Sequence, residues 1–163
     1  MPRASHFPEI AQLLALIDSA YNRRSWHGPN LRGSLRGITP SQAAWRPAPN
    51  RHNIWELTVH AAYWKYVGVR RLSGAKRGSF DLKGSNWFER SGQPTKAEWR
   101  RDLQLLEQSH RTFREVVAGM TPRDLARTPA GSEFSNFGLV SGVAAHDIYH
   151  AGQVQLLKRL QRG

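Results

Sequence analysis

Two histidines four residues apart, His146 and His150, lie in the run His-Asp-Ile-Tyr-His-Ala-Gly-Gln at positions 146–153. A third, His60, closes the run Ile-Trp-Glu-Leu-Thr-Val-His at 54–60. On an α-helix, residues four apart sit one turn above each other on the same face. His146 and His150 can therefore aim two imidazoles at one ion, and a neighbouring helix carrying His60 would supply a third. Three nitrogen ligands leave coordination positions open. That pattern suits catalysis better than structure, because structural zinc sites are closed by four protein ligands.

Three polar residues flank these histidines. Asp147 lies about 100° round the helix from His146. It either orients a ligand imidazole from behind or is an exposed helix residue. Glu56 stands one turn before His60. A capping box with Asn53 is the first reading for it, and a general base or an acceptor behind His60 is the second. Gln153 shares the stripe of both C-terminal histidines and can serve a water, a substrate or a backbone carbonyl. His110 reads as a core histidine, and His27 as a loop residue that could border the pocket. His52 and His6 read as surface residues. Trp55, Tyr63 and Trp64 read as packing, with Trp64 one turn from His60 and able to line the site.

The elements that must position these groups are visible as apolar stripes at helical spacing. The first predicted helix spans 8–24, with Ile10, Leu13, Leu14, Ile17 and Tyr21 on one face. The second spans 54–72, with Asn53 as N-cap and a seam of Leu57, His60, Trp64 and Val67. The third spans 96–118, with Thr95 and Glu98 in capping-box register and Trp99, Leu103, Leu106, His110, Phe113 and Val117 on the seam. The fourth spans 136–161, with Leu139, Val143, His146, His150, Gln153, Leu157 and Leu160. Buried imidazoles without partners cost about 1–3 kcal/mol each, and a bound metal would satisfy them. Two short helices are predicted at 38–43 and 120–125, each with Thr as N-cap and Pro in the first turn. The Gly-rich stretch 75–94 reads as a crossover packed on the bundle. The expected fold is all-α, a four-helix bundle with short extra helices in the connections, in one domain spanning 1–163.

Composition narrows the classes. The chain has 163 residues, 39% of them hydrophobic, with six tryptophans, which supports a packed core. It has no cysteine, which excludes disulfides, thiolate ligands and a cysteine nucleophile. The apolar run at 10–17 is too short to span a bilayer and is flanked by Glu9 and Asp18, so a signal peptide is a poor reading. A cytoplasmic protein is expected, with no membrane partner. The formal charge of +12 raises nucleic acid or an anionic substrate as partner. The arginines come as scattered pairs without a nucleic-acid motif, so solvated helix faces are the first explanation.

These residues resemble the DinB/YfiT-like metalloenzyme family over nearly the whole chain. The family's pattern is one histidine on the second helix and an H-x-x-x-H pair on the fourth, matched here by His60, His146 and His150. The resemblance implies a four-helix bundle with a divalent metal, zinc or nickel first, manganese or iron as alternatives. It implies hydrolase or thiol-dependent transferase chemistry, with a low-molecular-weight thiol as a candidate co-substrate. The sequence leaves the oligomeric state open, a homodimer included.

The expected function is thus a metal-dependent enzyme acting on a small molecule. Neutral imidazole ligands leave the ion its full charge, which would acidify a bound water strongly. The alternative is a basic binding module for nucleic acid or another anion, in which the histidines tie helices together. Steep salt dependence of nucleic-acid binding would mark that alternative.

Overall fold

The computed structural model describes residues 7–78, 80–90 and 92–162. His6 lies outside them. Seven helices form among the described residues: α1 (Pro8–Tyr21), α2 (Leu31–Ser34), α3 (Pro40–Ala44), α4 (Ile54–Ser73), α5 (Lys96–Ala118), α6 (Pro122–Leu125) and α7 (Asn136–Leu160). No strand forms among them. The four long helices α1, α4, α5 and α7 make the bundle. α5 packs on α4 and α1, and α7 packs on the same two from the other side. α2 rests on α7 and α3 on α4.

Local chemistry sets the ends of these helices. Thr95 accepts the Glu98 N–H, and the Glu98 carboxylate accepts the Thr95 N–H, closing the expected box at α5. Thr39 with Gln42 does the same for α3, and the Asp124 carboxylate accepts the Thr121 N–H at α6. α4 stops at Gly74, which takes φ +68°, a left-handed conformation that costs glycine least. The Ala75 N–H returns to the Arg70 carbonyl at 3.0 Å, so the last turn ends in a Schellman motif. α1 ends three residues short of the predicted boundary, because the Asn22 and Arg23 N–H groups both turn back to the Asp18 carbonyl. α2 was not expected. It is a single turn, capped by the Asn30 side chain on the Gly33 N–H, and too short to show a period.

The core has two apolar clusters. One gathers Leu57, Ala61, Trp55, Trp99, Leu106, Ala151 and Val154. The other gathers Ile10, Leu13, Ile17, Phe113, Val117 and Val140. On α4, α5 and α7 a polar residue falls between the two, Lys65, His110 and Asp147, all buried, and Tyr21 of α1, a member of the first cluster, lies beside them. Lys65 pairs with Asp147. The Lys65 ammonium also stands 5.1 Å above the Tyr21 ring, which stacks on His110 at 3.7 Å. α4 and α5 approach closely beside this layer, where a Cβ on Gly68 would lie 2.9 Å from the Phe113 ring. Among its described residues the stretch 75–94 forms no helix. Phe88 is buried there, whereas Trp87 stays partly exposed.

Candidate metal centre

α4 presents His60, and successive turns of α7 present His146 and His150. Their Nε2 atoms meet: His60 Nε2 lies 3.1 Å from His146 Nε2, and His150 Nε2 lies 2.9 Å from the same atom. The three form a group whose ligating atoms all lie within 4.8 Å of one another. His60 and His150 are buried and His146 is half-buried.

The other ring nitrogens explain this orientation. His60 Nδ1–H donates to the backbone carbonyl of Asn86 at 2.8 Å. His150 Nδ1–H donates to Gln153 Oε1 at 2.6 Å. With the proton on Nδ1, each ring turns an Nε2 lone pair toward the common point. His146 cannot offer an N–H to both at once. Two pinned lone pairs facing a third nitrogen make an arrangement that a cation relieves, so the donor set fits a metal.

Protonation does not compete near neutral pH. Burial holds His60 well below the ordinary imidazole value, at about 4, despite the Asn86 carbonyl; a charge on His150 or His52 would lower it further. Burial brings His146 to about 3, with His150, His60 and Lys65 adding to the shift. His150 is lowered by burial too, with Gln153 working in the other direction. All three are therefore neutral, the form that ligates.

The loop before α5 braces the site. Asn86 has φ +62°, a conformation unusual outside glycine, and its side-chain Oδ1 accepts the Trp64 indole N–H at 2.9 Å. Trp87 stacks flat on His60 at 3.8 Å and, on its other side, on His52 at 3.6 Å. His52 Nδ1–H donates to Glu56 Oε2 at 2.9 Å. The rings of Trp64, Trp87 and Tyr149 thus surround the histidines, with Tyr149 5.2 Å from His150.

The flanking polar residues are placed as follows. Gln153 bonds a histidine directly. Asp147 is neither behind a ligand imidazole nor exposed, since it is fully buried on Lys65. Burial pushes its carboxyl up and the ammonium draws it back. Glu56 does not complete a capping box: Asn53 accepts the Glu56 N–H, but the Glu56 carboxylate turns away to Arg46, His52 and the Arg90 N–H. Burial would raise its pKa, but those three donors outweigh burial and lower it. His52 is exposed yet joined to the site through Trp87, while His27 is exposed and outside the cluster. His110 is a buried core residue, and neither of its ring nitrogens has a hydrogen-bond partner among the described residues.

Three contributors escaped the sequence reading. Asn86 acts through its backbone, which no side-chain pattern reveals. Lys65 looks like an ordinary surface residue in sequence. Trp87 lies in the Gly-rich crossover, where no periodicity singles it out. A cleft of about 840 Å³ lies away from the histidines, at the end of the bundle where α4 and α5 finish. It is lined by Arg70, Arg71, Arg77 and Arg127 together with Glu115 and Asp124, and its size gives it no share in the histidine chemistry. No helix among the described residues is long and apolar enough to cross a membrane.

A family model described as the DinB superfamily matches residues 23–154, and the chain belongs to that superfamily. Comparison with curated proteins gave no match, and comparison with solved structures gave none.

Proposed function

We propose that the chain is a divalent-metal-dependent enzyme acting on a small molecule, as a hydrolase or a thiol-dependent transferase, with His60, His146 and His150 as ligands. The observation that carries this reading is the convergence of the three Nε2 atoms, two of them fixed by Nδ1–H bonds to Asn86 and Gln153. A divalent ion held there, zinc or nickel first, supplies Lewis acidity undiminished by any charged protein ligand.

The protein's own residues do the rest. Asn86 and Gln153 hold two imidazoles in the ligating tautomer. Trp87 keeps His60 in plane from one side, and Trp64 stands across from it, edge-on to His60 and His146. These rings exclude water from one side of the centre and give an apolar wall to a substrate. Asp147 is committed to Lys65 and Glu56 to Arg46, so neither is free to take a proton from a reacting group. A small molecule that brings its own nucleophile, or a thiol, fits such a site.

The test is a screen of ester, amide and thiol-conjugation substrates with zinc, nickel or manganese, comparing wild type with His146→Ala. Turnover that needs the ion and is lost in the variant is the expected result. Equal turnover in His146→Ala would refute a metal-centred reaction. No turnover at all, together with salt-sensitive nucleic-acid binding, would favour the basic binding module instead.

A further inference from the structure

The cleft where α4 and α5 finish has a lining of its own chemical character. Arg70 and Arg71 reach it from the last turn of α4, Arg77 from the chain just beyond Gly74, and Arg127 from the connection between α6 and α7. Glu115 and Asp124 are the acidic residues of the lining. Arg127 pairs with Asp124 at 3.0 Å. Among the described residues no carboxylate pairs with Arg70, Arg71 or Arg77.

Four cations against two anions leave an excess of two positive charges in the cleft. The C-terminal end of α4 offsets about half of one. Arg70 and Arg71 are half-buried, so part of each side chain has left water. Like charges gathered from three segments repel one another. The end of α4 does not require them, because Gly74 and the Ala75 N–H already close it.

The walls of the cleft are fixed. The Asn136 N–H donates to the Arg127 carbonyl at 2.7 Å, and its side-chain amide donates to the Asp124 carbonyl at 2.8 Å. These two bonds tie the arginine-bearing connection to the first turn of α7. The turn at 129–132 is closed by the Ser132 N–H on the Pro129 carbonyl at 3.1 Å. Asn136 also lines the cleft, and its Oδ1 is buried without a hydrogen-bond partner among the described residues. An acceptor left in that state is costly, and a hydroxyl group supplied from the cleft satisfies it.

We propose that this cleft is a binding site for a small phosphomonoester that carries a free hydroxyl. Charge selects the phosphate. A dianion matches the excess of two, and guanidinium groups offer the forked N–H donors that phosphate oxygens accept. A single carboxylate would leave one cation uncompensated. Size selects the small molecule, since about 840 Å³ is the volume of an ordinary ligand pocket, whereas a nucleic-acid strand needs an open track along the surface. Asn136 Oδ1 selects the hydroxyl. The site stands apart from the histidines. Arg70 lies ten residues beyond His60 on α4, and Asn136 lies ten before His146 on α7, about 15 Å along each helix. The ester is therefore held whether or not the histidines hold an ion.

Calorimetric titration of the metal-free protein with glycerol 3-phosphate, inorganic phosphate and glycerol tests this. At constant ionic strength glycerol 3-phosphate is expected to bind one to one, about 3–10-fold more tightly than inorganic phosphate, and glycerol alone to show no binding. Arg70→Ala combined with Arg71→Ala should weaken the ester at least about 10-fold. Arg100→Ala, fifteen residues before Glu115 on α5 and exposed, should leave it unchanged. Amide resonances of wild type give a second reading that needs no variant. Those of Gly74, Gly119 and Gly131, which line the cleft, should move on titration, while those of Gly142 and Gly152 stay in place. No saturable binding up to about 10 mM ester, a double variant that binds as tightly as wild type, or shifts confined to Gly142 and Gly152 would overturn the proposal. So would an oligonucleotide held through Arg70 and Arg71 by a chain that ignores glycerol 3-phosphate.

Discussion

The His60 imidazole is held by the backbone carbonyl of Asn86, a residue in the left-handed region that also grips Trp64 through its side chain. One loop residue thus fixes both a ligand and the aromatic wall beside it. The left-handed backbone costs a non-glycine residue about 1–2 kcal/mol, and asparagine bears it better than most.

Asn86→Ala should therefore lower both thermal stability and metal affinity. Asn86→Gly should recover the backbone geometry and retain more affinity than alanine does, although it loses the bond to Trp64. Metal titration with melting curves separates the two. Equal affinity in wild type and Asn86→Ala would show that the carbonyl does not set the ring.

Gln153→Ala removes the acceptor that pins His150. The expected loss of metal affinity is about 10–100-fold, the range for partners that orient a ligand. Gln153→Glu keeps an acceptor at the same reach and should retain most of the affinity. The fold should survive both, because Gln153 is only half-buried. Competition with a chromogenic chelator measures the difference.

The helices and the histidine triad were legible because both rest on periodicity. Apolar residues at helical spacing give the four long helices, and a seam that turns polar at His146 and His150 advertises a site. What lay outside that reading has physical reasons. Asn86 works through a carbonyl that every residue possesses. Lys65 and Asp147 are charged residues on core-facing positions, and each is tolerated only because the other is there, a pairing across 82 positions of sequence. Glu56 had the register of a capping box, but Arg46 and His52 offered its carboxylate stronger, charge-assisted partners. The third predicted seam listed Leu103, which is only half-buried. It passed over Asp102, which is buried and accepts from the Trp55 indole at 2.7 Å.

Lys65→Met should destabilise the fold by about 3–5 kcal/mol, since it strands the Asp147 carboxylate in the core. Adding Asp147→Leu should restore much of the loss, because an apolar pair of similar volume replaces the ion pair without an orphan charge. Urea denaturation of the metal-free protein gives both values. A single variant as stable as wild type would contradict the buried pair.

Acid should unfold the metal-free protein early. Burial, with Lys65, Arg114 and Arg32 nearby, lowers the His110 pKa from 6.5 to about 3. The unfolded chain binds that proton first, so the contribution to stability is complete above about pH 6.5 and is lost as pH falls toward 3. One such group gives a slope of up to about 1.4 kcal/mol per pH unit. His110→Phe, which can still stack on Tyr21, should reduce the slope by about one proton between pH 6 and 4. An unchanged slope would place the uptake elsewhere.

The central claim is that His60, His146 and His150 share one divalent ion. Elemental analysis of protein purified without an affinity tag, dialysed against added zinc or nickel, tests it most directly. The account predicts close to one ion per chain in wild type and a loss of that ion in His60→Ala, His146→Ala and His150→Ala, each still folded. Wild type without bound metal after such loading, or three variants that retain it, would contradict the account.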